Sequence, residues 1–200
     1  MNSQLMEEGL KLGPNRLPYE LPIHPNLVHF TIGLFIIAII FDIAGKLFPI
    51  EKPIFRFLSL SVVREGFFDV GWYNLLASAI ISFFTVAAGF FEIMLADPPA
   101  NVKSPWGLGA GITMILHGLG GIFILAAIVA MTVWRGLMRY KQHKSNARQV
   151  NWVYLLVGIG IMGIMYVQGT LGGHLGDTFG VHVTAAHLLR HGENPNVVLK

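Results

Sequence analysis

Four long runs of apolar residues, separated by short polar stretches, set the plan of the chain. The first begins near Asn26 and continues through FTIGLFIIAIIFDIAGKLF to about Phe48. Pro25 suits its first turn, where a missing N–H costs nothing, and Pro49 is placed to stop it. The second covers about Gly71 to Leu95 and ends at Asp97-Pro98-Pro99. The third runs from about Gly107 to Leu137 with a basic extension, and the fourth from about Val150 to Leu175. Each reaches the roughly 20 apolar residues that a helix needs to cross a bilayer. Residues 51–70 are too mixed to cross and predict an amphipathic segment lying in the interface. The expected fold is all-α: an integral membrane four-helix bundle with a short interfacial segment between helices 1 and 2. Residues 1–23 form an interfacial tail, 24–176 the transmembrane domain and 177–200 an extracytoplasmic tail.

Composition agrees with this division. Hydrophobic residues make up 54% and charged residues only 12%, against about 25% charged in an ordinary soluble domain. Zero cysteines exclude disulfides, cysteine-ligated iron–sulfur clusters and thioether-attached haem. The first 23 residues carry Glu7, Glu8 and Glu20 and three prolines, so they do not read as a secretory signal. Lys46, Lys52, Arg56, Arg64, Arg135, Arg139, Lys141, Lys144 and Arg148 flank the spans on one side, against Lys11, Arg16, Lys103, Arg190 and Lys200 on the other. The positive-inside rule then places both termini outside, in the periplasm or a lumen. The membrane is a bacterial plasma membrane or a thylakoid. No phosphate loop, nucleophile elbow or HExxH zinc motif is present, and nucleic acid has no site. Lys and Arg stay out of the span centres, against a voltage sensor, and no span is broken at mid-depth by Gly and Pro, as transporters often require.

Histidine is the candidate chemistry. His24, His29, His117, His174, His182, His187 and His191 fall at the outer face, and only His143 falls among the opposite loops. Ionisable residues inside a membrane mark functional sites, and neutral imidazole ligates metals and haem. His117 lies in the third span on a small-residue face with Gly120 and Gly121, which leaves room for a flat ligand. The alternative is a histidine hydrogen-bonded to a neighbouring helix. His29 with His117, or His117 with His174, would suit bis-histidine haem; sequence does not choose between them. His187 and His191 stand at i, i+4 and offer either an ion site or a solvated helix face. His24 reads as an interfacial residue before Pro25.

The second span carries a stripe of Ser78, Ser82, Thr85, Gly89 and Glu92. Helix packing explains the first four. Glu92 is an acid near the outer end, placed either to orient a ligating imidazole or to shuttle a proton. Asp42 pairs with Lys46 or with a neighbouring helix.

The segment HPNLVHF at residues 24–30, with Asp42, His117, LGG near residue 172 and GVHV at residue 180, resembles a bacterial membrane family, domain of unknown function 2231. The resemblance covers roughly residues 20–185. It implies a four-span bundle with His24, His29, His117, Gly172, Gly173 and Gly180 as signature positions. Many members carry other residues where this chain has His174 and His182, and these imidazoles suit a haem-binding, cyanobacterial subset. Relatives encoded beside haem–copper oxidases imply a link to electron transport. The leading expectation is therefore a b-type cytochrome with one or two non-covalent haem b groups in the outer half. Candidate ligands are His29, His117, His174 and His182, with Gly120, Gly121 and Glu92 around them. It would act as an electron carrier or oxidoreductase subunit, with ferric iron as one acceptor. Its partners would be membrane lipid and a larger membrane complex, terminal oxidase or quinol-linked redox protein. The alternatives are a structural or assembly subunit of a respiratory or photosynthetic complex, and a metal-binding or transport protein using His182, His187 and His191.

Overall fold

The computed structural model describes residues 11–57, 63–141 and 149–198. Among them there is no strand, only an isolated bridge between Lys103 and Gly109. Helix α1 spans Ile23–Phe57, α2 Arg64–Met94, α3 Ala110–Lys141 and α4 Trp152–Gly173. A π-helical turn, His174–Thr178, continues α4, and two short helices follow, α5 at Thr184–Arg190 and α6 at Pro195–Val198. Four stretches are long and apolar enough to cross a bilayer: Ile23–Phe48, Arg64–Met94, Ala110–Lys141 and Trp152–Thr178. Their outward positions are apolar, with Phe83, Phe84, Leu119, Leu156 and Tyr166 all exposed. Such a surface is a liability in water and is covered by acyl chains in lipid. The chain is an all-α integral membrane bundle, as its apolar runs imply.

The helix bounds differ from the sequence expectation in an informative way. Pro49 does not stop α1, which continues to Phe57. A proline inside a helix leaves the carbonyl four residues earlier without its donor. Here that carbonyl belongs to Gly45, and it accepts from Arg64 Nε at 2.9 Å. A Cβ at Gly45 would lie 2.9 Å from the Phe68 ring, so the glycine also lets α2 approach closely. Most of the expected interfacial segment is thereby helix: residues 51–57 continue α1 and residues from Arg64 onward open α2. Residues 58–62 lie outside the described residues, as do His143, Lys144 and Arg148. The mixed composition of 64–70 reflects a helix with one packed face, since Phe68 is buried while Asp69 pairs with Arg139 at 2.8 Å. At α4, Asn151 Oδ1 accepts from the Tyr154 N–H at 2.7 Å and caps the first turn.

Backbone contacts divide the described chain into two units. The first holds residues 11–26, 86–120 and 168–198. Its core is Ala110, Leu175 and Phe179, packed by Val102, Met114 and Val181. The second holds the remainder, with a core that includes Phe35, Ile39, Leu75, Ile128, Leu155 and Met165. In this second unit Thr31 and Thr85 share a hydrogen bond of 2.8 Å, and Ser78 donates to the Thr31 carbonyl at 2.9 Å. Ser82 and Thr85 donate to carbonyls of their own helix. The hydroxyls of Thr31, Ser78 and Thr85 thereby join α1 and α2. Arg135, read from the sequence as a loop cation, is instead fully buried within α3 and paired with Asp42. Asp42 therefore takes a neighbouring helix and not Lys46 as its partner.

A paired imidazole site in the first unit

The site is built on the start of α1. The first N–H groups of any helix lack intrahelical partners, and a carboxylate there is favoured by the helix dipole. Glu92, near the end of α2 and 4% exposed, supplies it. Its Oε1 accepts from the Ile23 N–H at 2.8 Å, the His24 N–H at 2.9 Å and the Tyr19 hydroxyl at 3.0 Å. Asn15 shapes the preceding loop, donating to the carbonyls of Tyr19 and Glu20 and accepting from the Leu17 N–H. Glu92 thus fixes where α1 begins, and with it where His24 stands.

Burial pushes the Tyr19 phenol up to about 12, helped by its bond to Glu92 and by that residue's negative charge. The folded phenol keeps its proton longer than the unfolded one. Its stabilising contribution is therefore full below pH 10.0 and is lost as pH rises through about 12. An alkaline absorbance titration of wild type minus Tyr19→Phe should give a difference curve centred near 12, and Glu92→Gln should move it down. A wild-type difference curve centred at 10.0, the ordinary phenol value, would contradict the Tyr19–Glu92 contact.

His24 faces His117 of α3, with ring centroids 5.8 Å apart and planes at 84°. Two glycines make room for the rings. A Cβ at Gly89 would lie 2.7 Å from His24 Cε1, and one at Gly172 would lie 3.0 Å from His117 Cε1. His117 Nδ1 stands 3.2 Å from the Gln168 carbonyl. A carbonyl only accepts, so Nδ1 carries the proton and Nε2 of the neutral ring presents its lone pair. A ligating histidine characteristically holds its second nitrogen this way.

The other candidate residues are placed differently. Gly120 offers no platform for a flat ligand, because the Gln168 side chain fills the space beside it and donates to the Leu116 carbonyl at 3.2 Å. Gly121 belongs to the second unit, and a Cβ there would meet nothing within 4 Å. His29 also belongs to the second unit, where it is exposed. His174 is half-buried against Trp106 at 5.0 Å, and its Nδ1 has no hydrogen-bond partner among the described residues. His182, at φ 56°, has Nδ1 3.0 Å from the Asn15 carbonyl and Nε2 2.8 Å from the Glu92 carbonyl. Both nitrogens are thus engaged by backbone carbonyls. His187 and His191 bring their rings within 4.3 Å, and His191 Nδ1 donates to the His187 carbonyl. Burial lowers the His187 pKa first, and His191, Arg16 and Arg190 lower it further. Asp97 acts in the opposite direction. Among the described residues no cluster of three or more His, Cys, Asp or Glu side chains is arranged to hold a metal ion.

His24 is the residue that sequence reasoning passed over. Its neighbours in the chain suggest an interfacial side chain, and its partnership with His117 depends on Glu92 and Gly89, far along the sequence. The HPNLVHF segment was the available signal, through the family positions it carries.

No curated protein and no solved structure matches the chain. The family described as "Predicted membrane protein (DUF2231)" matches residues 20–185. With its four apolar helices and the matched segment covering most of its length, the chain belongs to this family of membrane proteins.

Proposed function

We propose that His24 and His117 would hold one non-covalent haem b, and that the protein carries electrons at the extracytoplasmic or lumenal side. The observation behind this reading is the imidazole pair itself, 5.8 Å apart with His117 Nε2 left to ligate. The donor set fits haem iron, for which histidine imidazole is a usual ligand. Gly89 and Gly172 withhold side chains where the two rings stand, which lets the imidazoles face each other. Haem supplies reversible one-electron chemistry when bound.

The chain's own residues orient and shelter. Glu92 anchors the His24 backbone, and the Gln168 carbonyl fixes the His117 tautomer. Held by two imidazoles, such a haem would serve electron transfer and not the binding of oxygen. The preference for a single haem follows from His182, whose nitrogens are both engaged, and from His174, which faces Trp106. The outside placement rests on the excess of Lys and Arg beside the opposite ends of the spans, which survives removal of the buried Arg135 from the count. A quinol-linked donor and a terminal oxidase or ferric acceptor, within a larger membrane complex, suit a carrier placed there.

The test is a dithionite-reduced minus oxidised visible spectrum of protein purified in mild detergent from haem-replete cells. Sharp alpha and Soret bands are expected. A featureless spectrum would overturn the haem reading and favour a structural subunit of a larger complex.

A further inference from the structure

The second unit contains a buried ion pair. Arg135 is 0% and Asp42 1% exposed. Arg135 Nη2 donates to Asp42 Oδ1 at 2.6 Å and to the Phe68 carbonyl at 3.1 Å. A Cβ at Gly71 would come 2.5 Å from Asp42 Oδ1, so this glycine admits the carboxylate against α2. The pairing is incomplete. Asp42 Oδ2, Arg135 Nε and Nη1, and the Tyr154 hydroxyl are all buried without a hydrogen-bond partner among the described residues. They belong to one cluster, since the guanidinium lies 5.6 Å from the centroid of the Tyr154 ring and equally far from that of Phe68.

Leaving a buried polar atom unmet costs about 1–3 kcal/mol, and more where the group is charged. The unmet set is mixed: two guanidinium donors, one carboxylate acceptor, and a hydroxyl that does both. An anion would meet the Asp42 carboxylate and a cation the guanidinium. Water donates and accepts, and buried waters usually satisfy groups of this kind.

Charged and titratable groups surround the cluster from each helix. On α3 and α2, Arg139 and Asp69 form a half-exposed pair, 20% and 27% exposed. Arg64 of α2 holds the Gly45 carbonyl and lies 5.7 Å from the Phe68 ring centroid. Lys46 of α1 stands 5.8 Å over the Trp152 ring, and Tyr154 comes from α4. The partly exposed Asp69–Arg139 pair lies within electrostatic reach of the buried Asp42–Arg135 pair.

We propose that Asp42, Arg135 and Tyr154 form a hydrated proton-binding site inside the membrane span, entered past Asp69 and Arg139. Water bridges Asp42 Oδ2, the Tyr154 hydroxyl and the unmet guanidinium N–H groups. In the uptake step a hydronium O–H bond breaks as an O–H bond forms on Asp42 Oδ2, leaving neutral water and a carboxylic acid beside the guanidinium. No electron moves, so the site works with or without haem. An intramembrane carboxylate with reach to water is a usual element of proton relays.

Infrared spectroscopy of the purified full chain in phosphatidylcholine nanodiscs tests this. On acidification the wild-type minus Asp42→Asn difference spectrum should show a carboxylic-acid C=O stretch that shifts in deuterium oxide within the mixing time. Tyr154→Phe removes the bridging hydroxyl and keeps the ion pair, so its band should persist while exchange slows by about tenfold, the equivalent of one lost hydrogen bond. If Asp42→Asn does not fold, the wild-type and Tyr154→Phe exchange rates decide the matter. A wild type with no such band, or with exchange as slow as global unfolding and unchanged in Tyr154→Phe, means a dry structural salt bridge and overturns the proposal.

Discussion

Arg135→Ala is expected to destabilise the protein by about 3–5 kcal/mol, the largest loss among single substitutions in the second unit. The reason is asymmetry. Arg135 and Asp42 are both buried, so removing the guanidinium strands a buried carboxylate and also frees the Phe68 carbonyl. The guanidinium additionally packs against the Phe68 and Tyr154 rings, contacts that alanine forfeits. Thermal unfolding in detergent, followed by helical circular dichroism, should show a midpoint lower by on the order of 10 °C. Asp42→Ala combined with Arg135→Ala removes both charges and should recover part of the loss, because the stranded ion accounts for much of it. A double variant that is worse than Arg135→Ala by the full cost of Asp42→Ala would mean that the two residues act independently.

Gly89→Leu is expected to dismantle the imidazole pair while leaving the four helices in place. The His24 ring occupies the position of a side chain at residue 89, with Cε1 and Nδ1 2.7 and 2.8 Å from where a Cβ would stand. Neither ring atom is the yielding end of a flexible chain, and the His24 backbone is held by Glu92. Overpacking of this kind costs about 1–3 kcal/mol, which would weaken the proposed haem binding by roughly 5- to 150-fold if it falls on the ligated state. Gly169 provides the control, because a Cβ there meets nothing within 4 Å. Haem absorbance per protein should fall in Gly89→Leu and stay at the wild-type value in Gly169→Leu, with helical circular dichroism unchanged in both. Full absorbance in Gly89→Leu would contradict His24 as a ligand.

The four spans were legible because crossing a bilayer demands length and apolarity, and both are local properties of the sequence. Helix ends were less so. Pro49 reads as a stop until Arg64 is seen to supply the donor that Gly45 loses. Arg135 reads as a loop cation because its partner, Asp42, lies 93 residues away in the chain. The small-residue face of α3 promised space for a ligand, and Gln168 of α4 takes the part beside Gly120. Glu92 stood out as an acid in an apolar span, but its bond to the start of α1 joins residues 68 and 69 positions apart. That bond places His24, so the identity of the His117 partner was hidden until the two helices were set side by side. Histidine as the candidate chemistry was readable from residue type and depth; the pairing of the rings was not.

The most direct measurement is haem content per protein, by pyridine haemochrome assay, for wild type, His24→Ala, His117→Ala and His174→Ala purified side by side. One haem per chain is expected in wild type, with near-complete loss in His24→Ala and in His117→Ala and wild-type content in His174→Ala. Full haem content in His24→Ala, or loss confined to His174→Ala, would contradict the His24–His117 centre.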